Sequence, residues 1–523
     1  MTKDHARLDA AIADLPSRYP GPGGAVAVLH RGEVLVRHAW GYANAERRIA
    51  FTPQTLFRMC SITKQFTCSL ALDLLGDVSA LDDAVRRRLP NLMQAPPTAL
   101  QLCHNQSGLR DYWAVAMLLG APAESAFGDA EARRLIAGTR TLQFAPGMHY
   151  SYVNQNFRLL SDALEEHTGR GFAELLQARL FDRFGMNRAI LAADTRALPD
   201  GTEGYEGTEA AGFRPAENRV IWTGDAGLGA SLDDMIAWER SIDAGRDDPD
   251  ALYNRLSQPV TFTDGAPARY GFGLAREVRF GRAVTGHGGA LRGWRSHRLH
   301  VADARVSVVV LFNHMADARR AANDVLDALL DVGDAAAPSG HAPDTGLPGV
   351  YLEMETGLSA RVSLTPEGRV GLRYLGGTEM LEVLSDGSAQ SETARLAPSG
   401  SDLSMVRPGE NRTTTLRRVE GSAASDIAGT YACAELEPEL AATLTVSSAG
   451  GILYGGFSGA FGLGRMERLQ HLAGDVWVLP CPRALDVAPP GDWTLAFDRA
   501  PDGTVSGLRL GCWLARNLRY DRS

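Results

Sequence analysis

Ser61 and Lys64 stand three positions apart in Cys60-Ser61-Ile62-Thr63-Lys64-Gln65-Phe66, and Lys64 is one of only two lysines among the 53 basic residues of this chain. Wherever a permanent cation suffices, the sequence uses arginine. An arginine keeps its proton in a protein, whereas a partly desolvated lysine is readily neutral near pH 7. Lys64 is therefore a candidate for a position that needs a removable proton. A proton acceptor beside a hydroxyl turns a poor nucleophile into an active one, so the pair suits serine-based acyl transfer. An arginine-biased composition also leaves such a pair by accident, and the assignment needs further partners.

Two segments supply them. Tyr150-Ser151-Tyr152-Val153-Asn154 leads into an apolar-periodic stretch over 157–166 that stops before Gly169. Tyr152 and Asn154 are thus expected on a loop entering a helix. A tyrosine opposite a lysine cation has its phenolate stabilised, which suits Tyr152 to act as base toward the serine and acid toward a leaving group. Asn154 is suited to hold Lys64 and a substrate amide. Thr285-Gly286-His287-Gly288-Gly289-Ala290 comes next, just before a strand pair over 295–301 and 305–313. Gly288 and Gly289 let a substrate backbone lie against a strand edge. The N–H of Ala290 could join that of Ser61 in an oxyanion hole. Singly, each segment is also an ordinary turn composition.

A few elements must position these groups. A helix starting at Ser61, with Ile62, Phe66 and Leu70 at helical spacing and a stop at Gly76, places Lys64 on the face of Ser61 and aims its positive end at the serine. Strands over 25–29 and 33–39 form a hairpin about Arg31-Gly32, and the strands after Gly293 join them in one antiparallel sheet. An Ala-rich helix over 316–331 follows, then a small, Pro-rich stretch that reads as a linker over 334–346. The first domain is therefore expected to cover 1–333. Beyond it, short alternating strands carry a repeat: Gly349-Val350-Tyr351 and Gly429-Thr430-Tyr431, each followed by an apolar-alternating run, over 358–364 and 440–446. Two similar small β-barrels, over 347–420 and 421–523, are the economical reading.

At 523 residues the chain is long enough for about three domains. A net charge of −9 gives no basic footprint for nucleic acid or an anionic membrane, and no apolar stretch is long enough to span a bilayer. The charged start and the amphipathic pattern after it lack a signal core, so a cytoplasmic location is expected. Six cysteines, at 60, 68, 103, 433, 481 and 512, form no Cys-x-x-Cys pair; they read as reduced structural residues, with no metal site.

Ser61-x-x-Lys64, Tyr152-x-Asn154 and His287-Gly288-Gly289 resemble, in order and separation, the three motifs of the penicillin-recognising serine hydrolases, which include class C β-lactamases and D-alanyl-D-alanine carboxypeptidases. Asn105 to Trp113, Gly286 to Arg295 and Gly511 to Arg516 look like the D-aminopeptidase branch of that group, and the resemblance covers essentially the whole chain. It implies a multidomain α+β fold: a β-lactamase/transpeptidase-like catalytic domain, an antiparallel sheet with helices, followed by two small antiparallel β-barrels of lipocalin-like form. It implies Ser61 as the acylated nucleophile, Lys64 and Tyr152 as the proton-transfer pair, Asn154 as a supporting polar group, and His287 in place of the lysine common in β-lactamases. No cofactor or metal is implied, and a homodimer is compatible with it. A lysine there offers a fixed charge to a substrate carboxylate, whereas a histidine is largely neutral at pH 7, so β-lactam recognition is weakened. An aminopeptidase must instead bind a free ammonium group. In the resembled enzymes a loop of the C-terminal domain reaches the active site; the matching segment here, about 480–492, offers Asp486 as the amine anchor. The expected substrates are short peptides, amides or esters with a free N-terminal amine, cleaved through an acyl-enzyme, with β-lactams as inhibitors. Three alternatives stay open: a carboxypeptidase or β-lactamase anchoring a carboxylate through Arg292 or Arg295, a carboxylesterase, and a non-catalytic penicillin-binding sensor.

Overall fold

The computed structural model describes residues 6–330, 346–365, 368–374, 376–424, 426–433, 435–486 and 491–523. An eight-stranded antiparallel sheet organises the N-terminal domain. Its strands are β1 (Gly23–His30), β2 (Glu33–Asn44), β3 (Ile49–Ala50), β4 (Tyr270–Gly271), β5 (Leu274–Arg279), β6 (Arg282–Leu291), β7 (Trp294–Val301) and β8 (Val306–Phe312), in the order β4-β5-β6-β7-β8-β1-β2-β3. The expected junction between early and late strands is the β1–β8 ladder, from Gly24 opposite Phe312 to His30 opposite Val306.

β1 is almost continuously apolar because both of its faces are covered. Val26 and Val28 pack with Leu8 and Ile12 of helix α1 (Ala6–Arg18) on one face. Ala25, Ala27 and Leu29 face the other way, into the core that holds α2 (Thr63–Leu75), α3 (Tyr112–Leu118) and α4 (Gln155–Thr168). Helix α5 (Ala318–Leu330) lies with α1 on the far face. The motif-bearing helices are thus an insertion between β3 and β4, pressed on one side of the sheet.

The linker expected over 334–346 lies, save Gly346, outside the described residues, and the described part of the Ala-rich helix ends at Leu330. Beyond it, eight strands from Gly349–Glu353 to Arg412–Arg418 close into a barrel. Its interior is filled by side chains such as Tyr351, Leu372, Leu396, Met405 and Leu416. The second unit differs from the expected barrel: its ten strands form an open sheet, a half-barrel, that ends in the hairpin β9 (Val505–Cys512) and β10 (Ala515–Arg522). The internal repeat is real in three dimensions. The Tyr351 hydroxyl donates to the Leu347 carbonyl (2.8 Å) and that of Tyr431 to the Ile427 carbonyl (2.6 Å). Arg418 and Arg522 cover the two rings.

Candidate active site

The helix that carries Lys64 begins differently from the expectation. Ser61 lies in a single 3₁₀ turn, Cys60–Ile62, and the α-helix starts at Thr63. Cys60 has φ of 51°, in the left-handed region, so the chain turns sharply just before the serine. Such a conformation at a non-glycine residue costs on the order of 1–3 kcal/mol and persists only where the surroundings impose it. Here Thr63 Oγ1 donates to the Cys60 carbonyl (2.6 Å), and the buried core around Met59, Cys60 and Ile62 fixes the turn. The helix stops where expected, at Gly76 with φ of 71°.

Lys64 is fully buried and makes three hydrogen bonds: to Ser61 Oγ (2.9 Å), Asn154 Oδ1 (2.9 Å) and the Asp225 carbonyl (2.8 Å). These satisfy all three protons of an ammonium ion. They serve the neutral amine equally well, since its lone pair then receives the Ser61 hydroxyl proton while two N–H groups keep the other acceptors. Burial pushes the amine down to about 8, although Asp225, Asp111 and Asp486 pull it upward. The rings of Tyr152 and Phe157 close over it, with centroids 5.0 and 5.4 Å from Nζ.

Tyr152 and Asn154 lie on the loop leading into α4, as expected. The Tyr152 side chain lines the same cavity as Ser61. Its phenol differs from the expected phenolate: burial holds it protonated, far above the ordinary tyrosine value, and the nearby Ser61 side chain offsets only part of that. Of the two groups, the amine, lowered toward neutrality, is the better proton acceptor and the phenol the better donor.

His287, Gly288, Gly289 and Ala290 lie within β6, itself a strand, immediately ahead of the expected pair β7 and β8. Ala290 is opposite Arg295 and His287 opposite Arg298. A Cβ on Gly289 would fall 2.2 Å from the Met59 carbonyl oxygen, which explains why β6 passes so close to the serine turn. His287 Nδ1 donates to the Gly288 carbonyl (2.6 Å), and its Nε2 accepts from the Tyr270 hydroxyl (3.0 Å). Burial first, and the nearby Lys64 second, lower its pKa to about 3, so the ring is neutral at pH 7.

Ser61, Tyr152, Asn154, His287, Gly288, Gly289, Ala290 and Asp486 line one cavity of about 510 Å³. Asp486 arrives from the half-barrel, just before residues 487–490, which lie outside the described set. Its carboxyl is raised to about 7, by burial first and by Asp111 second. Arg292 does not line the cavity; its guanidinium donates to the Ala484 carbonyl (2.8 Å) and to that of Leu485, and so holds the Asp486 segment in place. Arg295 does line it, with Nη1 on the carbonyls of Leu291 and Trp294.

Two neighbours escaped the sequence reading. Trp513, at the tip of the β9–β10 hairpin, lies in the cavity wall against Tyr152. Asp111 accepts from both the backbone N–H (2.6 Å) and the side-chain nitrogen (2.9 Å) of Asn154. Both fall in stretches quoted for resemblance, but nothing in their spacing indicates the contact. The hairpin is anchored by buried Arg516, which bonds Glu410 of the barrel (2.9 Å), while Arg110 donates to the Arg516 carbonyl (2.9 Å). Three units of the chain thus meet behind the cavity. Among the described residues no group of three or more His, Cys, Asp or Glu side chains is close enough to hold a metal ion, and no helix is long and apolar enough to cross a membrane.

The sheet, the helical insertion and the Ser-x-x-Lys pair define a protein of the penicillin-recognising serine hydrolase class. The β-lactamase family matches residues 8–331, and the family described as D-aminopeptidase, domain B, matches residues 340–521. The chain is 63% identical to a D-aminopeptidase of Gluconobacter oxydans (strain 621H) over 99% of both chains, and 45% identical to a D-aminopeptidase of Brucella canis over 99% of both. The chain belongs to the D-aminopeptidase family. Among solved structures, an octameric penicillin-binding protein homologue from Pyrococcus abyssi shares the fold (TM-score 0.54, 21% identity, 79% of this chain and all of that one). So does the D-amino acid amidase from Ochrobactrum anthropi SV3 (TM-score 0.51, 20% identity, 63% of this chain and 99% of that one).

Proposed function

We propose that this protein is a serine peptidase that releases N-terminal D-amino acids, D-alanine among them, from short peptides, amides and esters. One observation carries the reading: the buried Lys64 amine rests 2.9 Å from Ser61 Oγ, its other two hydrogen bonds fixed on Asn154 and the Asp225 carbonyl. The neutral amine takes the Ser61 proton as Oγ bonds the first carbonyl carbon of the substrate. Backbone N–H groups of Ser61 and Ala290 hold the oxyanion. The Tyr152 phenol, held protonated by burial, gives its proton to the departing amine, and the Lys64 ammonium returns to it the proton taken from Ser61. Water then attacks the ester and frees the D-amino acid.

Selection for a free amine follows from charge. Asp486 offers a buried carboxyl to the substrate ammonium, and a neutral His287 does not repel it. Without a cation at that position, a penicillin carboxylate is poorly held, so β-lactams act as slow acylating inhibitors. The preference for D-residues is supported by the identity to D-aminopeptidases along the whole chain. Every group in this scheme belongs to one chain, so assembly into a homodimer leaves the chemistry unchanged.

Paired D- and L-alanine p-nitroanilides, with and without an N-acetyl block, test the proposal. Turnover of the free D-compound alone supports it. Preferential hydrolysis of N-acyl-D-Ala-D-Ala instead identifies a carboxypeptidase using Arg295.

A further inference from the structure

We propose that Asp111 is a positioning residue of this site, fixing the amide of Asn154 so that its oxygen, and not its nitrogen, faces Lys64. The inference rests on the Ser61–Lys64 reading given above. An asparagine amide has chemically opposite ends, and a flipped Asn154 would aim two donors at an amine that is itself a donor. The ionised carboxylate of Asp111 is acceptor-only, and its Oδ2 receives both the backbone N–H and Nδ2 of Asn154, which leaves only the oxygen for Lys64.

Asp111 is itself held from every side. Oδ1 caps α3 by accepting from the Trp113 N–H (2.9 Å), and its own N–H donates to the Leu514 carbonyl of the half-barrel hairpin (2.9 Å). The Gln155 side chain clamps its two chain neighbours, donating to the Arg110 carbonyl (2.5 Å) and accepting from the Tyr112 N–H (2.6 Å). The residue is completely buried. An asparagine or serine would cap α3 about as well. Only an acceptor-only group dictates which end of Asn154 turns toward it, so the cap alone does not account for a buried charge here. The charged and titratable groups facing it are Lys64 from α2, Tyr112 from α3, Tyr152 and Asp486 from loops, and Cys512 from β9.

The test compares Asp111→Asn, Asp111→Ser and the double variant Asp111→Asn/Asn154→Asp on D-alanine p-nitroanilide, with pH profiles and thermal melts. Each single variant should lower kcat at least about 30-fold while KM stays within about threefold, because the lost interaction acts on Lys64 and not on substrate. The acid limb should move to lower pH, since a negative charge that favours protonated Lys64 is gone. The double variant restores a donor at 111 facing an acceptor at 154, so it should recover at least about tenfold in kcat, with its acid limb moved up. The inference is overturned if either single variant keeps kcat within about threefold of wild type, or if the folded double variant is no faster than Asp111→Asn. An active Ser61→Ala overturns the site reading as well; an inactive Ser61→Ala beside a normal Asp111→Asn overturns this inference alone.

Discussion

Trp513 stacks on Tyr152, their ring centroids 6.2 Å apart and their planes 20° from parallel. One residue belongs to the last hairpin of the chain and the other to the loop that carries Asn154, so the C-terminal unit forms part of the cavity wall. Such an aromatic pair contributes about 0.5–1.5 kcal/mol beyond its buried area. Trp513→Ala should lower kcat/KM by about tenfold or more and leave the melting temperature nearly unchanged, since the tryptophan is only half-buried. Steady-state kinetics beside a thermal melt check this.

Lys64→Arg keeps the charge and removes the acceptor, because a guanidinium does not deprotonate. Acylation should fall by about 10³-fold or more, the scale of a lost general base together with its lost packing. Mass spectrometry of the protein mixed with an ester substrate checks for the acyl adduct.

The pH dependence follows from two groups. Lys64, lowered to about 8, accepts a proton only when neutral, and Asp486, raised to about 7, attracts an ammonium only when ionised. Both conditions are lost as pH falls. The logarithm of kcat/KM should therefore rise with a slope near two below pH 7 and near one between 7 and 8, by about one unit per proton. Asp486→Asn should leave a slope of one throughout.

Asp486→Asn should also weaken kcat/KM for free-amine substrates by about 10- to 100-fold, the range of a hydrogen bond to a charged group. N-acetylated substrates should gain relative to free ones. A ratio unchanged by the substitution would remove Asp486 from amine recognition.

Gly289→Ala places a methyl group 2.2 Å from the Met59 carbonyl oxygen and 2.3 Å from Ser296 Oγ. Forced contacts of this kind typically cost about 1–3 kcal/mol. The variant should melt several degrees lower and lose activity, because the displaced backbone is that of the serine turn. Calorimetry and a D-alanine p-nitroanilide assay check it.

Short-range patterns carried much of this molecule. The helix stop at Gly76, the β1–β2 hairpin and the Gly-x-Tyr repeat are each set by residues within a few positions of one another, and each was readable. The motif residues were readable for a related reason: their chemistry is unusual enough to stand out singly. Asp111 and Trp513 were not, because aspartate after an Arg and tryptophan in a hairpin become meaningful only through contacts with Asn154 and Tyr152 across the fold. The protonated state of Tyr152 was equally hidden, since burial decides it and no spacing reports burial. Whether the last unit closes into a barrel depends on packing against the rest of the chain, where strand patterns are silent.

The placement of Asp486 and Trp513 has a consequence for how the protein comes into being. About 450 residues separate the serine from the tryptophan, which a ribosome adding roughly 5–20 residues each second crosses in about 20–90 s. Throughout that interval the nascent chain carries its reactive hydroxyl without the aspartate and indole that complete its surroundings. A chain that stops short of the last hairpin therefore has a cavity with one side missing, and free-amine selection should arrive only with the final residues.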